Sequence, residues 1–167
     1  MNIFYLDPNT KRAAQMMCDK HVVKMILESA QMLSTAHREL DGNVDDKMYK
    51  VAHKNHPSTK WARENSAQYM WLYDHFVALC EEYTHRYGKT HMTDTKLRDI
   101  LRQPPRMIDQ NKQFNQPPQC MPDEHKVEND SVRAYRNYYI KEKKSFARWK
   151  NTHEPKWFSE GIKHAVL

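Results

Sequence analysis

Residues 7–42, DPNTKRAAQMMCDKHVVKMILESAQMLSTAHRELDG, decide the fold class, because they carry the longest helical pattern in the chain. Apolar residues recur there at helical spacing, at Cys18, Val22, Ile26, Ala30 and Leu33. The pair Asp7-Pro8 is typical of a helix start, and the pair Asp41-Gly42 is typical of a helix end. The pattern predicts a long helix to Leu40, with a break or bend allowed near Cys18-Asp19.

Working outward, the sequence predicts two or three further helices joined by one long loop. Ser58 suits the N-cap of a second long helix that reaches Tyr87-Gly88, and a shorter helix is expected over 93–101. Residues 103–130 hold five prolines and predict an ordered loop over the helices. A last long helix should begin at residues 129–131 and reach Lys150. We therefore expect an all-α fold, with three or four main helices and a long proline-rich loop.

Size and composition favour one domain over residues 1–167. Only three glycines and as many as ten methionines suit long helices better than a sheet with tight turns. The three cysteines, Cys18, Cys80 and Cys120, are widely spaced and indicate reduced thiols. No stretch approaches the apolar length of a membrane span or resembles a secretion signal. These features predict a cytoplasmic monomer, in the host cytoplasm if the chain is phage-encoded, with no membrane partner.

The charge balance points to a polyanionic partner. The formal net charge is +6, and the sequence pI is about 9.2. Nucleic acid is the partner class that such a balance favours most. A soluble protein that is merely basic is the alternative.

The first long helix carries a polar stripe beside its apolar one. His21, Lys24 and Glu28 lie three or four residues apart, and the row continues through Gln31, Thr35 and Arg38. An imidazole, an amine and a carboxylate within two turns can supply a general base, a nucleophile and an acid. The alternative is an ordinary salt-bridged surface.

A second polar cluster surrounds the turn that leads into the second helix, with members His53, Lys54, Asn55, His56, Ser58, Lys60, Trp61 and Arg63. A helix N-terminus there can bind a phosphate through its free amides. The alternative is that His56 and Ser58 only cap the helix. Because zinc-site spacings are absent, we expect no metal and no other cofactor.

The predicted last helix alternates basic and aromatic residues. Its cations are Arg133, Arg136, Lys141, Lys143, Lys144, Arg148 and Lys150. Such a pattern can follow a nucleic-acid backbone. We expect the lysines to contact DNA, and most of the aromatic residues, such as Tyr135 and Tyr139, to pack in the core.

In order and spacing, the chain resembles the phage endonuclease V type of pyrimidine-dimer DNA glycosylase. The central match is Asp19-Lys20-His21 followed by Glu28, a D-x-H-x6-E pattern. Further short matches are Asn55-His56-Pro57, Arg86-Tyr87-Gly88 and the closing Pro155-Lys156-Trp157-Phe158.

The resemblance implies an all-α enzyme that excises damaged pyrimidines from duplex DNA and then cleaves the strand. It implies that Glu28 is the catalytic carboxylate, that His21 lies near it, and that an N-terminal amine attacks C1′ of the damaged nucleotide. An α-amine suits this role because its ordinary pKa of about 7.7–8.0 is far below that of lysine. Lys20, Arg38, His56, Lys60, Trp61, Arg63, Arg136, Lys143 and Lys144 are the expected DNA contacts.

The start of the chain departs from the family pattern. The family exposes a threonine amine after removal of the initiator methionine, whereas Asn2 disfavours that removal. The nucleophile is therefore the amine of Met1, or Lys20 or Lys24 in its place, or the fold serves another reaction. A non-catalytic nucleic-acid-binding protein and a protein that acts on or sequesters a small nucleotide, with His21, Glu28, His56 and Trp61 in one pocket, are the rival interpretations.

Overall fold

The computed structural model describes residues 1–165, and this part of the chain is all-helical, which confirms the predicted fold class. Within it lie seven α-helices, one 3-10 turn at Asp123–His125, a π-helical turn at Tyr139–Lys143, and no strand. The helices are α1 (Thr10–Met16), α2 (Asp19–Leu40), α3 (Pro57–Ala62), α4 (Ser66–Tyr87), α5 (Met92–Leu97), α6 (Ser131–Tyr138) and α7 (Lys156–Ala165).

The opening helical pattern is divided into α1 and α2 at Met17-Cys18. Both of these residues have extended backbones. The amide of Cys18 donates to the Tyr139 hydroxyl rather than to a helical carbonyl, at 3.3 Å. A tertiary contact therefore stabilises the break, which lies where the sequence allows one.

The prediction of one helix from Ser58 to Tyr87 was wrong, because the chain leaves the helix between α3 and α4. Asn65 is fully buried, and its side chain caps α4 by accepting from the Gln68 amide at 2.9 Å. A buried cap of this kind favours a new helix start over continuation. The predicted terminator is confirmed, since Gly88 ends α4 with a left-handed φ of 70°.

The prediction of a helix reaching Lys150 was also wrong. The α-helix α6 ends at Tyr138 and passes into the π-helical turn. The following segment instead meets the start of α2: Arg148 O accepts from the Asp19 amide, and the Asp19 carboxylate accepts from the Lys150 amide at 2.9 Å. The residues that follow this segment form α7, where Phe158 is buried against Trp149.

The core lies between α2 and α4, with α1 packed on α4 and α3 and α5 packed on α2. One buried ion cluster crosses it. Arg86 of α4 is 1% exposed and donates to Glu82 at 2.9 Å and to Asp19 at 3.0 Å. Removing one partner of such a cluster leaves a buried charge uncompensated.

Side chains of α3 and α4 hold the segment between α5 and the 3-10 turn. Trp61 Nε1 donates to Asn115 O at 2.9 Å, and Gln68 Oε1 accepts from the Asn115 amide at 3.0 Å. The Tyr69 hydroxyl donates to Leu101 O at 2.7 Å. No described helix combines the length and the apolar character that crossing a bilayer requires.

Candidate active site at the first residues

The first six residues form an extended segment that lies inside the core. Ile3, Phe4, Tyr5 and Leu6 are each at most 5% exposed. These residues precede α1 and have no helical structure. The hydrophobic effect therefore places the first residue of the chain against the helices.

Phe4 gives this segment a defined bend. Its φ of 54° lies in the left-handed region, which costs a non-glycine residue about 1 to 2 kcal/mol. Its ring stacks on His21 at 4.1 Å between centroids and meets Tyr135 and Tyr139 edge-on at 5.9 Å each. Packing on three sides stabilises the strained backbone.

Hydrogen bonds hold the segment along its length. The Tyr135 hydroxyl, which donates its proton to Pro118 O at 2.7 Å, lies 3.4 Å from Asn2 Oδ1. Arg136 Nε donates to Leu6 O at 2.9 Å, and Trp71 Nε1 donates to Pro8 O at 2.8 Å. The position of the α-amine thus depends on side chains from α4 and α6.

The α-amine of Met1 meets the carboxylate of Glu28. The Met1 nitrogen lies 3.4 Å from Glu28 Oε1, and the Glu28 side chain is 13% exposed. The Met1 side chain is 2% exposed although the residue as a whole is half-buried, so Met1 presents mainly backbone to solvent. An amine and a carboxylate are paired at a place that solvent reaches.

Lys24 supplies a second amine to the same carboxylate. Its Nζ lies 3.6 Å from Glu28 Oε2, one helical turn away, and its side chain is 62% exposed. Glu28 therefore lies between two amines, one anchored by the core and one on a flexible exposed side chain.

His56 lies within electrostatic reach of this pair. It caps α3, and its Nδ1 accepts from the Ser58 amide at 3.1 Å, which leaves Nε2 as the donor of the neutral ring. Partial burial lowers the pKa of His56, the Met1 ammonium and His53 lower it further, and Glu28 opposes them. His56 therefore caps α3, and the charges of Met1 and Glu28 shift its pKa in opposite directions.

The structure places His21 beneath the segment. His21 is 5% exposed, and its Nδ1 lies 2.6 Å from the Tyr139 hydroxyl. Burial lowers its pKa to about 3, helped by the ammonium groups of Lys143, Lys24 and Lys20. His21 is therefore a neutral core residue that stacks on Phe4 and pairs with Tyr139, and its predicted place near Glu28 stays a prediction. Similarly, Asp19 of the D-x-H pattern pairs with Arg86.

Three lysines surround the exposed part of α2, and we call Lys20, Lys24 and Lys143 the basic surface. All three raise the positive potential at His21. Lys20 Nζ lies 4.6 Å from the centre of the Phe146 ring, and Lys143 Nζ lies 4.4 Å from that of Tyr138. Lys144 is exposed beside them, and Lys60 is exposed on α3. Lys24 also pairs with Glu28, and Lys143 Nζ donates to the Tyr138 hydroxyl at 3.2 Å.

The arginines predicted to contact DNA make hydrogen bonds within the fold, and their DNA contacts stay a prediction. Arg38 donates to Tyr49 O and Met48 O, at 2.7 and 2.8 Å. Arg63 donates to Lys54 O at 2.8 Å, and Arg136 holds the first segment. Guanidinium groups that satisfy backbone carbonyls stabilise loops.

Trp61 is likewise 5% exposed and belongs to the core, because its indole nitrogen is bonded to the loop at Asn115. The nucleotide alternative considered from the sequence needs His21, Glu28, His56 and Trp61 in one pocket. Two of these four residues, His21 and Trp61, are used in packing.

Sequence reasoning missed the roles of Phe4 and Tyr135. A buried phenol that reaches Asn2 has no local signature, since 133 positions separate the two residues. A left-handed phenylalanine also has none. Both become evident only when the fold is known.

One described cluster offers metal-ligand atoms. Glu124, His125 and Glu142 bring one such atom each to within 4.8 Å of one another. His125 Nε2 already lies 2.6 Å from Glu142 Oε2, so the ring has a hydrogen-bond partner. The cluster joins the 3-10 turn to the π-helical turn and shares no residue with the pair at Met1 and Glu28.

Comparison with known proteins gives one match. The model of the family described as pyrimidine dimer DNA glycosylase matches residues 1–96, which is more than half of the chain. No curated protein and no solved structure matches. The matched region contains the first segment, α1 to α4, and both members of the amine and carboxylate pair.

Proposed function

The chain belongs to the pyrimidine dimer DNA glycosylase family, and we propose that it excises damaged pyrimidines from duplex DNA with the Met1 amine as nucleophile and Glu28 as catalytic carboxylate. The observation that carries the proposal is the 3.4 Å approach of the Met1 nitrogen to Glu28 Oε1. The amine is anchored by the core, and it lies beside a carboxylate that can accept its proton.

In the proposed first step, the neutral amine forms a bond to C1′ of the damaged nucleotide. The glycosidic bond breaks, and the base leaves with the electron pair and takes up a proton. Opening of the sugar ring at C1′ then gives a protonated imine between Met1 and the sugar. Glu28, whose side chain is only 13% exposed, stabilises the positive charge that develops at the sugar.

In the proposed second step, a proton leaves C2′ of the imine and the 3′ phosphate departs, which cleaves the strand. Glu28 is placed to carry that proton, and hydrolysis of the imine then frees the amine. We propose that His56, whose Nε2 carries the proton of the neutral ring, donates to the sugar or to a flanking phosphate. In this lyase step the Met1 nitrogen remains bonded to the sugar after the base has left.

The basic surface supplies the DNA contact. Lys20 and Lys24 lie on α2, the helix that carries Glu28, and Lys143 acts with them on the charge of His21. Ammonium groups bind phosphates as point charges and do so in a salt-dependent way. Duplex DNA is accordingly the proposed substrate, and a free nucleotide would not need so wide a surface.

Imine trapping tests this proposal. The protein is incubated with duplexes that carry a pyrimidine dimer, an abasic site or no damage, in the presence of borohydride. We expect a covalent protein–DNA adduct on both damaged duplexes and none on the undamaged one. A protein that binds the damaged duplexes but yields no adduct is a non-catalytic binder, and the proposal is then wrong.

A further inference from the structure

The fold brings one imidazole and two carboxylates together between the 3-10 turn and the π-helical turn. Glu124 and His125 lie in the 3-10 turn, and Glu142 lies in the π-helical turn. His125 Nε2 lies 2.6 Å from Glu142 Oε2 and 3.5 Å from Glu124 Oε1, and one ligand atom of each residue lies within 4.8 Å of the others. Ligand atoms at about 2.0 to 2.2 Å from one tetrahedral zinc ion are about 3.3 to 3.6 Å apart. Small side-chain rotations therefore bring this cluster to the dimensions of a metal site.

The charges of the cluster are not balanced by lysine or arginine. Among the ion pairs of the described chain, Glu124 and Glu142 each meet only His125. Lys126, the residue after His125, pairs with Asp123 instead, at 2.8 Å. An imidazole nitrogen carries one proton at most, so Nε2 can donate to only one of the two carboxylates. A divalent cation in place of that proton would accept the Nε2 lone pair and neutralise both carboxylates.

The imidazole is held in place by the fold, and the carboxylates are open to solvent. His125 is 5% exposed, its carbonyl accepts from Asn137 Nδ2 at 3.4 Å, and its ring lies 5.7 Å from that of Tyr138. The side chains of Glu124 and Glu142 are 75% and 40% exposed. A buried imidazole that presents Nε2 to exposed carboxylates allows an ion to enter from solvent without any change in the core.

The chemistry of the three donors selects the class of ion. Mg²⁺ and Ca²⁺ prefer shells made of oxygen atoms, whereas an imidazole combined with carboxylates suits Zn²⁺ and related first-row ions. Three protein ligands leave a fourth position for water at this exposed edge. We propose that Glu124, His125 and Glu142 bind one divalent transition-metal ion of the class of Zn²⁺, which fastens the 3-10 turn to the π-helical turn.

The ion has a structural role, in the part of the chain beyond the residues that the family model matches. The π-helical turn carries Tyr139, whose hydroxyl lies 2.6 Å from His21 Nδ1, so a fastened turn supports the packing beneath the first segment. The ion takes no part in the chemistry proposed for Met1, and the inference does not rest on that chemistry. The expectation of no metal came from sequence spacing, which does not show a contact that the fold makes between His125 and Glu142, 17 positions apart.

Metal titration of the full chain tests the site. The protein is freed of metal with a chelator, and the binding of Zn²⁺ is measured by calorimetry, with Mg²⁺ as the comparison ion. We expect one Zn²⁺ per chain in the tightest class of sites, and a rise in Tm of about 5 to 10 °C when free Zn²⁺ exceeds its Kd about a hundredfold. Mg²⁺ should change the Tm little. Co²⁺ in place of Zn²⁺ should give the visible absorption of a four-coordinate site.

Glu124→Gln, Glu142→Gln and the double variant identify the ligands. Glutamine keeps the shape of the side chain and can still accept a hydrogen bond from His125, so the fold should be retained, but a neutral amide is a poor ligand. Because loss of an outer partner alone costs about 10- to 100-fold in metal affinity, we expect each single variant to weaken Zn²⁺ binding at least about tenfold and the double variant to lose the Co²⁺ absorption. Glu128→Gln is the matched control, because Glu128 is exposed in the same loop and is not part of the cluster. It should bind Zn²⁺ like the wild type.

Two results would overturn the proposal. Wild-type protein that binds no Zn²⁺ and keeps its Tm would show that the three side chains form a hydrogen-bonded cluster only. Equal affinity of the wild type and the double variant would show that the ion binds other histidines or cysteines. Neither result bears on imine trapping at Met1, which is measured separately.

Discussion

At the scale of single residues, the surroundings of Glu28 matter most for the proposed chemistry. It is mostly buried, it faces the Met1 nitrogen at 3.4 Å, and its other oxygen faces Lys24 at 3.6 Å. A carboxylate at that place can stabilise a cationic sugar, and an amide of the same shape cannot.

We therefore expect Glu28→Gln to lower single-turnover cleavage of a dimer-containing duplex by about a hundredfold or more, while the Kd changes little. Glu39→Gln is the matched control, because Glu39 lies on the same helix but meets only Lys54, at 3.9 Å. Cleavage by Glu28→Gln at the wild-type rate would rule out the role given to this carboxylate.

The burial of His21 predicts how stability depends on pH. Burial lowers the pKa of His21 to about 3 and that of His75 to about 4. Because both values lie below the unfolded value of about 6.5, the unfolded chain binds more protons between these limits. The free energy of unfolding should fall with falling pH below about 6.5, by about 1.4 kcal/mol per pH unit for each of the two histidines.

Urea unfolding between pH 7 and pH 4.5 measures this slope. In His21→Gln the contribution of one histidine should vanish, so the slope should become shallower. His85→Gln is the control, since His85 is exposed. An unchanged slope in His21→Gln would show that the imidazole is not held neutral by the fold.

At the scale of elements, periodicity predicts which stretches are helical, and tertiary contacts decide where they stop. The pattern of 7–42 shows the long helix α2 and permits the break before it. It does not show that Cys18 bonds to Tyr139, 121 positions away. Periodicity also does not show the buried cap at Asn65 that separates α3 from α4, or the bond from the Asp19 amide to Arg148 O at the start of α2.

The candidate site was predictable to a similar extent. The resemblance implied the roles of Glu28 and of the terminal amine, and the structure brings the two together. The roles of the buried groups were not predictable, because burial depends on packing between elements. His21 and Trp61 look like site residues by type, and both are used in the core.

The contact of Tyr135 in α6 with the first segment can be tested by mutation. Tyr135→Phe removes the hydroxyl that donates to Pro118 O at 2.7 Å and lies 3.4 Å from Asn2 Oδ1. We expect a loss of about 1 to 2 kcal/mol in the free energy of unfolding, together with a several-fold fall in cleavage rate because the amine is held less firmly.

Tyr73→Phe provides the comparison, because the Tyr73 hydroxyl also donates to a backbone carbonyl, that of Arg98, at 2.6 Å. It should show a similar loss of stability with cleavage unchanged at a temperature where both variants are folded. If the two variants lose cleavage equally, Tyr135 has no specific effect on the amine.

At the scale of the whole molecule, the cations behind the net charge of +6 differ in how far the fold already engages them. Several arginines are tied to carbonyls or carboxylates inside the fold, and Lys143 and Lys144 remain available beside α2. We therefore expect Lys143 and Lys144 to take part in DNA binding.

Reversing Lys143 and Lys144 to glutamate should weaken duplex binding and flatten the plot of log K against log salt, by about 0.9 per lost phosphate contact. Reversing the exposed Lys89 and Lys112 makes the same change in net charge elsewhere and should have a smaller effect on both quantities. Equal effects of the two pairs would mean that net charge alone matters and that DNA contacts another face.

The central claim is that the anchored amine of Met1, and not a lysine side chain, forms the bond to the sugar. The most direct measurement is peptide mapping, by mass spectrometry, of the borohydride-trapped adduct on an abasic duplex. The account predicts that the deoxyribose remnant lies on the α-nitrogen of Met1 and that Lys24→Met still forms the adduct when protein concentration saturates the DNA. A remnant on Lys20 or Lys24, with the Met1 nitrogen unmodified, would contradict it.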